Sequence, residues 1–199
     1  MISTSGRKIL MQFVSDVKTL LTNNIISSLQ QHYGIWADGR VIPVSQLTTS
    51  NADIIYRARM LRGRLQYIKN SLPADSTDID KKAVQQLTAE QAFTILNRFC
   101  AVRMCEEREL IMPSIGDGYD SDGFVSYDMV TGQGSVGSRY ERYCWYIQSL
   151  YDELSIELPS VFDRYSPYGL IWPDETTLTK LFDLINNENL TAFYDDQTG

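Results

Sequence analysis

A chain of 199 residues with 43% hydrophobic and 22% charged residues has ordinary globular proportions, long enough to bury a core and too apolar for disorder along most of its length. No run approaches the roughly 18 consecutive apolar residues of a membrane span, and the N-terminus lacks the basic region, apolar run and cleavage site of a secretory signal. Cys100, Cys105 and Cys144 are odd in number and form no CxxC pair, which points to reduced thiols in a cytoplasmic protein. The net charge of −7 conceals an asymmetry. Residues 1–72 carry nine Lys/Arg against three Asp/Glu, a balance of +6; residues 73–199 carry nine against twenty-two, a balance of −13. This reads as a basic helical part over 1–72 and an acidic helical part over 73–199, packed as one domain. The acidic total argues against indiscriminate nucleic-acid binding but leaves room for a basic face on the first third.

Residues 7–33 read as a long helix, because Ile9, Leu10, Phe13, Val14, Val17, Leu20, Leu21, Ile25 and Leu29 recur at helical spacing. Gly34 stands where a left-handed residue closes a helix, and Asp38-Gly39 marks a turn with a small strand pair around it. A second helix begins at Ser50 or Asn51, both good caps, and stops near Leu72 before Pro73. Its apolar seam is Ile54, Ala58, Leu61, Leu65, Ile68 and Leu72, and Gly63 within it costs about 1 kcal/mol relative to alanine. Residues 73–80 read as a polar linker. A third helix is predicted from Thr88, whose spacing to Gln91 is that of a capping box, through Ala92, Ile95, Leu96, Phe99 and Val102, fraying near Ile111; helix over Ile79–Leu87 would add two turns.

Residues 113–137 hold six of the twelve glycines and no helical period, so they read as an irregular excursion, with Phe124–Tyr127 a candidate strand. A fourth helix is predicted over about 138–154 with Tyr140, Tyr143, Cys144, Ile147, Leu150, Tyr151 and Leu154 inward, then an aromatic-rich loop from Pro159 to Pro173. Asp174 caps a last helix carrying Leu178, Leu181, Phe182 and Ile185, and the chain ends at Asp195–Gly199 without an evident closing element. The fold class is thus mainly α, a bundle of about five helices with one loop or hairpin excursion at 113–137.

Several motifs invite chemistry. Gly132-Gln133-Gly134-Ser135-Val136-Gly137 is a literal GxGxxG with Asp128 ahead of it, but too little chain follows to build a doubly wound sheet, so a flexible loop competes with a cofactor loop. Asp120-Ser121-Asp122-Gly123 hints at a calcium loop, yet the required positions hold Gly118 and Met129. His32, the single histidine, lacks neighbours at zinc spacing and reads as a helix-end residue. Glu106, Glu107 and Glu109 cluster beside Arg103 and Arg108, where Arg103 to Glu107 is an ordinary helical ion pair. Arg139–Tyr146 interleaves cations and aromatics, readable as a stacking surface or as core with Arg139 and Arg142 outside. The second helix carries Arg57, Arg59, Arg62, Arg64 and Lys69 against Asp53 alone. These five are the candidate nucleic-acid contacts; the competing reading is that they pair with the acidic remainder of the protein.

The stretch Ala92-Phe93-Thr94-Ile95-Leu96-Asn97-Arg98-Phe99-Cys100-Ala101-Val102-Arg103-Met104-Cys105-Glu106 resembles a helix near the N-terminus of large adenine-specific DNA methyltransferases of the BREX phage-defence and fused restriction–modification type. Leu154-Ser155-Ile156-Glu157-Leu158-Pro159-Ser160-Val161-Phe162-Asp163 and Leu170-Ile171-Trp172-Pro173 are similar to two later segments of that family, so the resemblance covers about residues 85–199. Those enzymes hold the flipped adenine with an Asn/Asp-Pro-Pro-Tyr/Phe motif, and this chain has no Pro-Pro pair. The resemblance therefore implies a noncatalytic N-terminal helical domain, with the methyltransferase core beyond Gly199. It implies S-adenosylmethionine for the parent protein and no cofactor, metal or catalytic residue here. Its partners would be DNA, the core of the parent chain and other defence-system subunits. In this setting Asn97 and Arg98 would fasten neighbouring segments. The alternative function is a protein-interaction domain with no nucleic-acid role.

Overall fold

The computed structural model describes residues 4–73, 77–132 and 136–194. It is mainly helical, and among the described residues no strand forms beyond one antiparallel bridge between Ile35 and Val41. Among the same residues, no helix is long and apolar enough to cross a membrane. The helices are α1 (Thr4–Tyr33), α2 (Ala52–Ser71), α3 (Ile79–Glu107), α4 (Asp122–Val130), α5 (Arg139–Leu154), α6 (Pro159–Phe162), α7 (Glu175–Ile185) and α8 (Thr191–Tyr194). Two compact units divide the chain, and the division does not follow the charge boundary near residue 72. One, the α2 unit, is Lys18–Ile95 with Tyr165–Pro173; the other, the α5 unit, is the chain up to Val17, Leu96–Arg164 and from Asp174 on.

In the α2 unit, α1 ends as its sequence dictates. Gly34 has φ +59, and the amide of Ile35 returns to the carbonyl of Leu29. A Cβ at Gly34 would fall 2.5 Å from Ile42, so the position admits glycine on two grounds. The Asp38-Gly39 turn forms, with Gly39 at φ +96. Asn51 caps α2 by accepting from the amides of Asp53 and Ile54, and the predicted seam is buried at Ala58, Leu61, Leu65 and Ile68. The core adds Leu21, Ile25, Leu29, Ala83, Val84, Leu87, Leu170 and Ile171.

The α3 capping box does not exist. Helix begins at Ile79, because Ala83, Val84 and Leu87 continue the buried face, and Thr88 lies inside it with its hydroxyl on the carbonyl of Val84. At the other end α3 stops at Glu107 rather than fraying toward Ile111. Glu109 takes φ +56, its amide returns to Glu106, and the amide of Leu110 returns to Cys105, the bond pattern of a Schellman cap.

In the α5 unit, Phe124–Tyr127 is helix and not strand. Helix α4 sits inside the predicted irregular excursion because Phe124 and Asp128, four apart and both buried, find partners on α5 in Tyr143 and Arg142. Tyr143 is the centre of that core: its ring meets Tyr119, Phe124 and Phe182 at centroid distances of 5.0, 5.2 and 5.4 Å, and its hydroxyl donates to the carbonyl of Ser114 at 2.6 Å. Ser138 opens α5 with a full capping box to Glu141. Helix α6 occupies the start of the predicted aromatic loop, with Pro159 in the first turn, where its missing amide costs nothing. Helix α7 buries the four predicted apolar residues behind the Asp174 cap.

Candidate functional site

The five cations of α2 are on one helix, but the structure uses them differently. Arg57 pairs with Asp53 at 2.8 Å and also donates to the carbonyl of Leu170. Arg62 reaches into the α2 unit and donates to the carbonyls of Ala58, Tyr33 and Ile42 at 2.8, 2.7 and 2.7 Å, so it ties the end of α1 to α2. Burial lowers the Arg62 pKa from its usual value without bringing a carboxylate to it. Arg64 forks onto Glu90 at 2.8 and 2.7 Å, with the rings of Tyr67 and Tyr168 at 4.8 and 4.4 Å from the guanidinium. The hydrogen bond to Glu90 is the main cause raising the Arg64 pKa. Lys69 pairs with Asp80 at 2.7 Å. Arg59 is exposed. Four of the five thus have intramolecular partners at distances the sequence did not reveal, since Tyr33, Ile42, Glu90 and Leu170 are remote in the chain.

Three long polar side chains of α3 are buried, Gln91, Arg98 and Glu106. Gln91, fully buried, donates to the carbonyl of Pro167 and accepts from the amides of Leu170 and Ile171. Arg98 donates to the carbonyls of Val161 and Asp163 at 2.8 and 2.6 Å. Glu106 accepts from the amides of Ser114, Ile115 and Gly116, the first at 2.7 Å and the last at 3.1 Å. Burial is the largest influence on Glu106 and pushes its carboxyl above the usual value, against the pull of those amides and of Arg103. Each of these side chains satisfies backbone groups of a segment that lacks neighbours in a sheet, as buried polar atoms require. The expectation that Arg98 fastens a neighbouring segment matches this geometry, whereas Asn97 is exposed. The sequence spacing instead suggests a cap for Gln91 and an ion-paired face for Glu106. The burial of their helical positions, adjacent to Ala92 and Val102 on the same stripe, was the available signal.

Residues 133–135 of the GxGxxG lie outside the described residues; Gly132 and Gly137 have φ +89 and +71, and helix α4 precedes them where a cofactor loop has a strand. Asp128, the acidic residue ahead of the motif, is half of a part-buried pair with Arg142 at 2.6 Å. This arrangement does not fit a dinucleotide or S-adenosylmethionine loop. Asp120 pairs with Arg139, and among the described residues no group of three metal-ligating side chains converges. Arg103 pairs with Glu107 as spaced, and also meets Glu106 and Asn186. On α5, Tyr143 and Ile147 are core, while Arg139 and Arg142 hold acidic partners. His32 is exposed at the end of α1, beside a concave site of about 320 Å³ that Trp36, Gln46, Thr49 and Ile54 also line. Among the described residues that lining holds no carboxylate, amine or guanidinium.

Comparison of the chain with protein-family models, with curated proteins and with solved structures finds no match.

Proposed function

We propose that the chain is the noncatalytic N-terminal helical module of an adenine-specific DNA methyltransferase of a phage-defence or restriction–modification system, working in the cytoplasm and helping to position DNA or a partner subunit. The observation that supports this most is where the residues of the family resemblance meet. Arg98, from the matched α3 segment, closes on Val161 and Asp163 of the matched 154–163 segment, more than sixty positions away. A buried arginine that ties the two segments together suits a helical scaffold. The matched polar residues Arg98 and Glu106 are also occupied by backbone groups, which suits a scaffold and leaves chemistry to the parent protein's core, where S-adenosylmethionine would bind. The other reading, a protein-interaction domain with no nucleic-acid role, draws support from the intramolecular partners of Arg57, Arg62, Arg64 and Lys69.

Two titrations test the proposal. Calorimetry with S-adenosylmethionine is expected to show no stoichiometric uptake by this chain; saturable binding would refute the scaffold role. Fluorescence anisotropy with a labelled duplex is expected to show weak association at low salt that disappears as salt rises. No response at low salt removes the DNA-positioning role and leaves the protein-interaction reading.

A further inference from the structure

Opposite the buried seam of α2 runs a second stripe, Tyr56, Arg59, Gly63, Gln66, Tyr67 and Asn70, all exposed. Each of these residues has another of them three or four positions away, and Gln66 and Tyr67 lie side by side, which keeps the set on one side of the helix. Tyr56 and Tyr67 are 44% and 62% exposed, high for tyrosine in a core-forming unit. The two are separated by eleven residues, about 16 Å along the axis at the helical rise.

Gly63 is the anomaly in this stripe. It lies mid-helix in ordinary helical backbone, and a Cβ there would meet nothing within 4 Å. Neither a turn nor a close approach inside the protein calls for glycine, which weakens the helix relative to alanine. What the missing side chain provides is therefore on the outside: another chain can lie directly against the α2 backbone.

The chemistry of the stripe says what kind of chain. Between Tyr56 and Asn70 it presents no aliphatic anchor and no carboxylate. Three cations of α2 are neutralised by Asp53, Glu90 and Asp80. Among the described residues Arg59 has no carboxylate partner, whereas Arg62 is turned into the α2 unit onto the carbonyls of Ala58, Tyr33 and Ile42, so the positive charge of the exposed stripe is that of Arg59, one helical turn from Gly63. Tyrosine hydroxyls, amides and arginine are the side chains that hydrogen-bond phosphate oxygens. Tyr67 is further held by stacking on the Arg64 guanidinium.

We propose that this stripe is a seat for the phosphodiester backbone of DNA, with Arg59 pairing a phosphate, Tyr56 and Tyr67 donating to flanking ones, and Gly63 admitting the strand. The inference rests on the DNA-positioning reading above and narrows it from five cations to one exposed face.

The test uses the 199-residue chain, a labelled duplex at low salt, and thermal melts of the same samples. Gly63→Ala is expected to raise Tm by a few degrees, since it improves the helix, and yet to weaken DNA binding several-fold. Arg59→Ala should weaken binding by a comparable factor and flatten the log–log salt slope by about one. Tyr67→Phe should weaken it about two- to threefold, and Lys180→Ala, an exposed cation on α7, should leave it unchanged. If the wild-type chain binds and the α2 variants bind equally well, DNA-positioning stands and this face is wrong. If the wild-type chain does not bind at all, the DNA reading fails and the seat fails with it. Because Gly63→Ala is stabilising, its loss of affinity has no explanation in unfolding.

Discussion

The α2 unit and the α5 unit each hold an irregular segment with polar side chains from α3, but with groups of different charge. In the α2 unit a neutral amide, Gln91, satisfies both a carbonyl and two amides of the 165–173 segment. In the α5 unit the same task falls to ions: Glu106 collects three amides after α3, and Arg98 two carbonyls after α6 begins. Around those ions is a cluster of buried phenols, while the α2 unit is built on an aliphatic seam with Tyr33 as its buried phenol. A buried amide costs little when its bonds are made; a buried ion is tolerated only while every partner is in place. The α5 unit should therefore be the more easily broken of the two, by pH and by single substitutions.

Alkali should separate them most. Burial is the leading cause that raises Tyr119 to about 12 and Cys100 to about 11, and it also lifts Tyr143, Tyr151 and Tyr194 above their usual range. Because these folded values lie above the unfolded ones, the neutral groups stabilise the fold fully below pH 9 to 10, and that contribution is lost as pH rises through the raised values. Hydrogen exchange measured from pH 9 to 12 is expected to show amides of α4, α5 and α7 losing protection first. Earlier loss in α2 would invert the comparison.

Next in size is Glu106→Ala. Removing the carboxylate strands the amides of Ser114, Ile115 and Gly116 in a buried site, which should cost about 3–5 kcal/mol in urea unfolding. Gln91→Leu in the α2 unit leaves two amides and a carbonyl unpaired but removes no charge, and about 2–3 kcal/mol is expected. Equal losses would mean that charge contributes nothing to the difference between the units.

What the sequence disclosed divides along the same physical line. Local signals were readable: the Asn51 and Asp174 caps, the α2 seam, the apolar face of α7, and the glycine that closes α1. Each depends on residues within a turn or two. Helix α4 was missed because Asp120-Ser121-Asp122-Gly123 has turn composition and nine residues carry too little periodicity; its stability comes from Phe124 against Tyr143 and Asp128 against Arg142, contacts made 14 to 19 positions away. Thr88 and Gln91 had the spacing of a cap, but spacing is silent about whether helix already runs upstream. The carbonyl destinations of Arg57 and Arg62 were illegible for a related reason. Carbonyls of Tyr33, Ile42 and Leu170 carry no side-chain signature, so nothing in the composition of α2 distinguishes an arginine that fastens a loop from one that faces solvent. Of the five cations of α2, only Arg59 is exposed.

The smallest expected effects are at the helix starts, where the two units again differ. Asn51 caps α2 alone, with bonds of 2.9 and 3.4 Å, the second near the limit of a useful hydrogen bond. Ser138 and Glu141 cap α5 reciprocally: the serine hydroxyl accepts from the Glu141 amide at 3.2 Å, and the glutamate accepts from the Ser138 amide at 2.6 Å. Asn51→Ala should cost under about 1 kcal/mol, and Ser138→Ala about 1 kcal/mol, since the exposed amides of both sites can turn to water. The cap on α5 has a further consequence, because its two halves hold each other in place. With Ser138 already replaced, Glu141→Ala should cost measurably less than it does in the wild-type chain, a coupling of a few tenths of a kcal/mol or more in a double-mutant cycle. Strict additivity would show that the two bonds act separately and that α5, like α2, starts from a single side chain.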